Sequence, residues 1–199
     1  MMIVGIDYSM TSPAVCCCPS PFHYSKCSFM FITGKKKLVI PGMFGTKIHG
    51  LLLQEYKNPP YEYKIHYKDN LERFTKLADM TVEWILEQPT AILMRNYVGL
   101  EGYAFGAKGQ VFNIGENTGI LKFKLQKVAS SVSVFAPSQI KKFATGKGNA
   151  NKLLMYEAFT EETGDDLAQL FGLDPYNGES PLSDIIDSYY IAKYRDQNS

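Results

Sequence analysis

The order of the predicted elements indicates an α/β fold, a five-stranded mixed β-sheet flanked by α-helices. Three strands are predicted first, at Met2–Asp7, Ala14–Cys18 and Cys27–Thr33, and they read as a meander. Helical and strand patterns then alternate towards the C-terminus. Because strands cluster early and helices separate the later ones, antiparallel and parallel pairing are both expected within one sheet.

Size and composition fit one globular domain spanning residues 1–199. Of the 199 residues, 45% are hydrophobic and 21% are charged, which excludes a disordered or low-complexity protein. No apolar run approaches the roughly 18 residues of a membrane span. The N-terminal apolar run contains Asp7 and has no basic residues before it, unlike a signal peptide. We therefore expect a soluble cytoplasmic protein with no membrane partner.

The first strand is an apolar run that ends in a carboxylate, Asp7, and a polar turn follows it. After the third strand, residues 34–66 fit no single pattern. Leu51 to Leu53 suit a strand or a helix, and Asn58-Pro59-Pro60 breaks any regular element. We treat this stretch as an insertion within the domain.

The middle of the chain alternates helix and strand. A helix capped by Asp69 or Asn70 continues to Glu87, with one apolar stripe along it. Tyr97–Tyr103 predicts a strand that carries Glu101. Apolar residues then recur three and four apart across Gln110–Val128, which predicts an amphipathic helix facing a core.

The last third holds the fifth strand and the remaining helices. Ser131–Phe135 predicts a short strand, and Ala136-Pro137 ends it. A short helix is expected over Ser138–Phe143, and the segment T-G-K-G-N-A-N-K opens another. The final helix is predicted over Leu182–Arg195.

Cysteine and histidine spacing argues against a zinc site. Three cysteines are adjacent and the fourth is isolated, without a C-x-x-C pair. We interpret them as small apolar strand residues. The three histidines are scattered and receive no role. The residues concerned are Cys16, Cys17, Cys18, Cys27, His23, His49 and His66.

The charge is balanced overall but not along the chain. Eight lysines and one acid lie between Lys108 and Lys152, whereas nine acids and no base lie between Leu153 and Ala192. The basic block has two explanations, a surface that binds a polyanion and an ordinary solvated face.

Four carboxylates indicate a metal site. Asp7 and Glu101 lie in apolar strands, and Asp184 and Asp187 are three residues apart on one helix face. A carboxylate in a buried strand is costly unless it is paired or binds a cation. Oxygen donors alone suit Mg²⁺ or Mn²⁺ rather than zinc. The alternative is structural, because an Asp often ends a strand in a turn or stabilises a helix N-terminus.

Four segments resemble, in order, the motifs of RuvC-type Holliday junction resolvases. The resemblance implies a ribonuclease H-like fold and a homodimeric, magnesium-dependent crossover junction endodeoxyribonuclease, without an organic cofactor. Such an enzyme acts on branched DNA in recombination and repair, within a bacterium or the bacterial host of a phage. The amino-acid sequence around Glu101 is more similar to that of phage-type members. The segments are V-G-I-D-Y-S (4–9), L-E-G-Y-A-F-G-A-K-G (100–109), P-S-Q-I-K-K-F-A-T-G-K-G-N-A-N-K (137–152) and L-S-D-I-I-D-S-Y-Y-I-A (182–192).

The resemblance also implies residue roles. The four carboxylates become a catalytic tetrad that binds two Mg²⁺ ions, for which Mn²⁺ substitutes. Asp7 would bridge both ions, Glu101 and Asp187 would each hold one, and Asp184 would complete a coordination sphere or orient the attacking water.

Lysines and two aromatic residues are the candidates for nucleic-acid binding. Glycines at a helix N-terminus let backbone N–H groups approach a phosphate, which gives the lysines around the G-K-G turn a role in backbone contacts. Two aromatics after the strand of Glu101 either stack at an opened base pair or pack in the core. Ala104 stands where the family often has an aromatic. The candidates are Lys108, Lys141, Lys142, Lys147, Lys152, Tyr103 and Phe105.

Two other functions remain open. G-I-D-Y-S-M-T-S also resembles the first phosphate loop of actin-like ATPases and sugar kinases, although the chain has no second segment of that type. A non-catalytic protein with the same fold would bind junctions without cutting them.

Overall fold

The computed structural model describes residues 1–35, 47–53, 66–89, 95–102 and 111–198. It has an α/β architecture in which a mixed β-sheet lies between two layers of helices. The strands are β1 Met2–Asp7, β2 Ala14–Pro19, β3 Ser28–Thr33, β4 Ile48–Leu52, β5 Asn96–Glu101 and β6 Ser131–Phe135. The helices are α1 His66–Glu87, α2 Val111–Leu125, α3 Pro137–Thr145, α4 Lys152–Thr163, α5 Leu167–Phe171 and α6 Leu182–Gln197.

The strand order across the sheet is β4-β3-β2-β1-β5-β6. β1, β2 and β3 pair antiparallel, which confirms the predicted meander. β5 pairs parallel with β1, and β6 pairs parallel with β5. A helix lies in the connection between β1 and β5 and in that between β5 and β6, as is usual for parallel strands.

The predicted strand count is wrong by one, because the sheet has six strands rather than five. The additional strand, β4, lies within the stretch predicted as an insertion and pairs parallel with β3 at the sheet edge. Its sequence, I-H-G-L-L, is short and does not alternate. Only the long-range pairing with β3 selects the strand over the helix that Leu51 and Leu52 also suit.

Helix ends differ modestly from the predictions. α1 begins at His66, before the expected cap at Asp69 or Asn70, and ends at Glu87 as predicted. α3 is longer than expected, because Pro137 occupies its first turn, where the missing N–H costs nothing. It ends at Thr145, and Gly146 caps it with a φ of 76°, the left-handed conformation that favours glycine after a helix C-terminus.

Alternation along β1 divides the core into two halves. Met2, Val4 and Ile6 pack with residues of α1 and α2 on one face of the sheet. Ile3 packs on the other face with residues of α3 to α6. The cysteines follow the same alternation as buried, free thiols, with Cys17 in the first half and the other three in the second. Within the described residues, no helix is long and apolar enough to cross a membrane.

Candidate active site

Strand register brings Asp7 and Glu101 to the same edge of the sheet. Gly5 lies opposite Gly99 and Ile6 opposite Leu100 in the parallel β1–β5 pair. Asp7 and Glu101 each come directly after these pairs, at the ends of their strands. Because side chains alternate along a strand, Asp7 shares its face with Gly5, and Glu101 shares its face with Gly99. Both carboxylates therefore project towards the layer that contains α6.

Glycine at position 5 lets α6 lie directly on β1. A Cβ atom at Gly5 would stand 2.2 Å from the Ser188 carbonyl oxygen and 2.3 Å from the Ala192 backbone nitrogen. Such a contact leaves no room for any side chain at position 5. The close approach places the first half of α6, with Asp184 and Asp187, beside the end of β1.

The four carboxylates interact electrostatically. Burial raises the pKa of Asp7 well above its usual value, and the carboxylates of Asp187, Asp184 and Glu101 raise it further. Burial also raises the pKa of Asp187 to about 7, with Glu101 and Asp184 acting in the same direction. The pKa of Glu101 is raised by burial and by Asp184. The cluster thus disfavours full deprotonation unless positive charge is added.

Two lysines supply part of that positive charge. Lys141 on α3 lowers the pKa of Glu101 and Asp187, and Lys152 at the start of α4 lowers the pKa of Asp7 and Asp187. Both lysines line a small pocket with Asp187, Met155, Ser183 and Ile186. Despite these lysines, the net effect on Asp7, Glu101 and Asp187 is a raised pKa.

The donor chemistry of this cluster fits a hard divalent cation. Its four acids offer only carboxylate oxygens, and their mutual repulsion is the interaction that a cation relieves. Among the described residues, no three His, Cys, Asp or Glu side chains are close enough together to coordinate one metal ion as they stand. A cation would therefore have to draw these carboxylates closer than they lie here.

Serine hydroxyls hold one member of the cluster, and the sequence analysis did not select them. Ser180 donates to Oδ2 of Asp184 at 2.5 Å, and Ser183 donates to Oδ1 at 3.2 Å. Ser12, from the turn after β1, lies 3.0 Å from the Ser180 hydroxyl. The sequence signal, serines in segments flanking the acids, does not differ from an ordinary polar turn.

The other predicted residues fall into three groups. Lys142 and Lys147 are exposed on α3 and the turn after it. Lys152, although predicted to contact nucleic acid, donates to the Gly178 carbonyl at 2.8 Å and to Ser183 Oγ at 3.3 Å. Tyr103, Phe105 and Lys108 lie outside the described residues.

Solved structures with the same fold include two of RuvC. A Thermus thermophilus RuvC structure matches with a TM-score of 0.54 and 15% identity, covering 97% of this chain and 92% of that one. T. thermophilus RuvC in complex with a Holliday junction substrate matches with a TM-score of 0.55 and 15% identity, covering 100% and 96%. No protein-family model and no curated protein sequence matches the chain. The strand order, the flanking helices and these two structures give the chain the ribonuclease H-like fold of RuvC.

Proposed function

We propose that the chain is a metal-dependent endonuclease that resolves Holliday junctions or other branched DNA. The observation that carries the proposal is the convergence of Asp7, Glu101, Asp184 and Asp187. They lie on β1, β5 and α6, and the packing of α6 on one face of the sheet brings them together beside the ends of β1 and β5. The fold supports the same class, because one RuvC structure that shares it holds a Holliday junction substrate.

The four carboxylates would hold two Mg²⁺ ions, which Mn²⁺ could replace. Such ions activate water and stabilise the leaving oxygen when a phosphodiester is hydrolysed. Asp7, at the end of the central strand β1 and on the face that meets α6, would be the ligand common to both ions. Glu101 and Asp187 would each hold one ion, and Asp184 would complete a coordination sphere.

Lysines beside the carboxylates would bind the DNA backbone. Lys141 lies close enough to affect the pKa of Glu101 and Asp187, so a phosphate it holds would lie beside the acids. Exposed Lys142 and Lys147 extend the positive surface along the same edge. Lys152 is exposed as well, and its ammonium keeps one donor for a phosphate beyond those directed at Gly178 and Ser183.

The wider assignment follows from this role. We propose a single nuclease domain over residues 1–199, acting as a homodimer because a junction has two strands to cut. Such an enzyme would act in DNA recombination and repair in the bacterial cytoplasm. The amino-acid sequence around Glu101 favours a phage-type member.

Cleavage of a labelled four-way junction, beside a matched linear duplex, tests the proposal. Paired nicks on the junction are expected with Mg²⁺ or Mn²⁺, and none with chelator. Asp7→Asn should abolish cleavage while junction binding persists, because a repulsive carboxylate and a metal ligand are lost together. Asp165→Asn is the matched control, since Asp165 lies beside Tyr24 and Lys47, away from the tetrad.

The outcomes separate the rival functions. Cleavage of the duplex alone would keep the nuclease and change its substrate. Junction binding without any cleavage would favour the non-catalytic protein, and nucleotide binding without cleavage would favour the ATPase or kinase. Substantial cleavage by Asp7→Asn would remove Asp7 from the metal ligands.

A further inference from the structure

A continuous chain of hydroxyl groups joins the turn after β1 to the first turn of α6. Ser9 Oγ lies 3.3 Å from Ser12 Oγ, which lies 3.0 Å from Ser180 Oγ. Ser180 Oγ lies 2.5 Å from Oδ2 of Asp184. The hydrogen-bonded path thus links residues directly after Asp7 to Asp184, which are far apart in the sequence.

The carboxylate determines the direction of this chain. A hydroxyl has one proton, and Ser180 donates its proton to Oδ2 of Asp184. Ser180 then accepts from Ser12, and Ser12 accepts from Ser9. Ser9 also accepts from the backbone N–H of Ser12 at 2.8 Å and of Thr11 at 3.4 Å, which satisfies both of its lone pairs. Each of the three hydroxyl protons is donated along the row, and such aligned bonds strengthen one another.

The second oxygen of Asp184 is held from the other side. Ser183 Oγ has two acceptors within reach, Oδ1 of Asp184 at 3.2 Å and the Gly178 carbonyl at 3.3 Å. Lys152 Nζ already donates to that carbonyl at 2.8 Å, and Oδ1 of Asp184 is the nearer of the two acceptors for the Ser183 proton. Both carboxylate oxygens therefore accept from a hydroxyl, and each keeps further lone-pair sites for a cation.

We propose that Ser12 and Ser180 are positioning residues that hold Asp184 for a divalent cation, an inference that rests on the proposed function. Asp184 and Asp7 repel each other, and without a cation this repulsion would drive the two carboxylates apart. The Ser12–Ser180 contact connects the elements that carry them and opposes that separation. A site held in this way loses less conformational freedom when it binds a metal.

Binding of Mn²⁺ without DNA tests the positioning role, measured from the electron paramagnetic resonance signal of the free ion. Ser180→Ala should weaken Mn²⁺ binding by about 10- to 100-fold, the usual effect of losing a partner of a metal ligand. Ser180→Thr should restore it, because it keeps the hydroxyl. Ser25→Ala is the matched control, since the Ser25 hydroxyl is also hydrogen-bonded but lies on the exposed helix at Tyr24–Lys26.

The variant Ser12→Ala tests whether Ser12 and Ser180 act on Asp184 through one row of hydrogen bonds or independently of each other. In this row of hydroxyl groups, Ser12 is connected to Asp184 through Ser180. A variant with both Ser12→Ala and Ser180→Ala should therefore bind Mn²⁺ no more weakly than Ser180→Ala alone. The melting temperature in chelator, recorded for each variant, distinguishes a positioning loss from a general loss of stability.

Each result has a defined meaning. Wild-type affinity in a folded Ser180→Ala variant would overturn the positioning role while leaving the proposed nuclease intact. If Ser180→Ala does not fold, wild-type affinity in Ser12→Ala has the same consequence. Absence of Mn²⁺ binding by the wild-type protein would overturn the metal-dependent function itself, and the positioning role with it.

Discussion

At the scale of single residues, Asp187 shows how the candidate site lowers the stability of the cation-free fold. Its pKa is raised from the usual 3.8 to about 7, first by burial and then by Glu101 and Asp184. The folded protein therefore resists losing this proton more than the unfolded chain does. In chelator, the contribution of Asp187 to stability should be most favourable below about pH 4 and should be lost progressively as the pH rises from there to about 7.

Replacing Asp187 with Asn should reverse this loss. In chelator at about pH 8, Asp187→Asn should raise the free energy of unfolding by on the order of 1–3 kcal/mol, with little change near pH 4. Urea unfolding at both pH values measures the difference. Mg²⁺ should stabilise the wild type and not the variant, because the cation relieves the repulsion only where its ligands remain. Equal stabilities at the higher pH would show that Asp187 does not destabilise the fold.

Asp166 has a lowered pKa, so its contribution to stability has the opposite dependence on pH to that of Asp187. The Gln169 backbone N–H and the Tyr156 hydroxyl both donate to it, and they lower its pKa. Its contribution to stability is present above the unfolded pKa and is lost as the pH falls through the lowered value. Asp166→Ala should therefore destabilise the protein at neutral pH and not in acid, which thermal melts at both pH values would show.

The sequence alone identified the four acids as candidate site residues, but it did not identify the serines that are hydrogen-bonded around Asp184. Asp7 and Glu101 are conspicuous because each is the carboxylate of an otherwise apolar strand, so burial alone marks them. Ser12 and Ser180 carry no such signal, because a serine in a turn is common and its partner here lies on a distant segment. Periodicity reports which face a side chain occupies, and it does not report which segment meets that face.

At the scale of elements, the contact between α6 and β1 controls how far the carboxylates stand from one another. Gly5→Ala places a methyl group 2.2 Å from a backbone oxygen of α6, which cannot rotate away as a side chain could. We expect a loss of about 3 kcal/mol or more, at the upper end of overpacking effects. Because α6 must move as a unit, Mn²⁺ affinity should fall together with the melting temperature.

Two other glycines calibrate this prediction. A Cβ at Gly99 would meet side-chain atoms of Ile191 and Phe135 at 3.0 Å, and these can shift, so Gly99→Ala should be milder. Gly119 lies in α2 with open space around it, so Gly119→Ala should stabilise the protein by about 0.5–1 kcal/mol. A Gly5→Ala variant as stable as Gly119→Ala would contradict the close packing of α6 on β1.

The hydrophobic pattern of the sequence correctly predicted the strands and helices whose local sequence favours a single conformation. β6 lies at the predicted residues, because Ser131–Phe135 alternates and Ala136-Pro137 ends the strand. α2 lies within its predicted range, because apolar residues recur at helical spacing over several turns. β4 escaped prediction because five residues at a sheet edge become a strand only through pairing with β3.

At the scale of the whole molecule, charge is distributed unevenly between the ends of the sheet. The carboxylate tetrad lies at one edge, where it would repel DNA if it were not balanced. Lys141, Lys142 and Lys147, from α3 and the turn after it, stand at that same edge, since α3 follows the end of β6 that pairs with Glu101. Lys26 is exposed at the opposite end, beyond β2. The arrangement predicts that DNA affinity depends on the position of a lysine and not on the total charge.

Replacing Lys142 and Lys147 together with Ala tests this dependence. If each contacts one phosphate, the slope of log affinity against log salt should become shallower by about 1.8, with about 0.9 from each contact. The loss should be similar for a four-way junction and a linear duplex, because both DNAs offer phosphates and a contact to one phosphate carries no sequence information. Fluorescence anisotropy with a cleavage-inactive Asp7→Asn background measures both substrates over a range of salt. Lys26→Ala in the same background should leave the slope unchanged. An equal change from Lys26→Ala, or none from the double variant, would place the DNA surface elsewhere on the molecule.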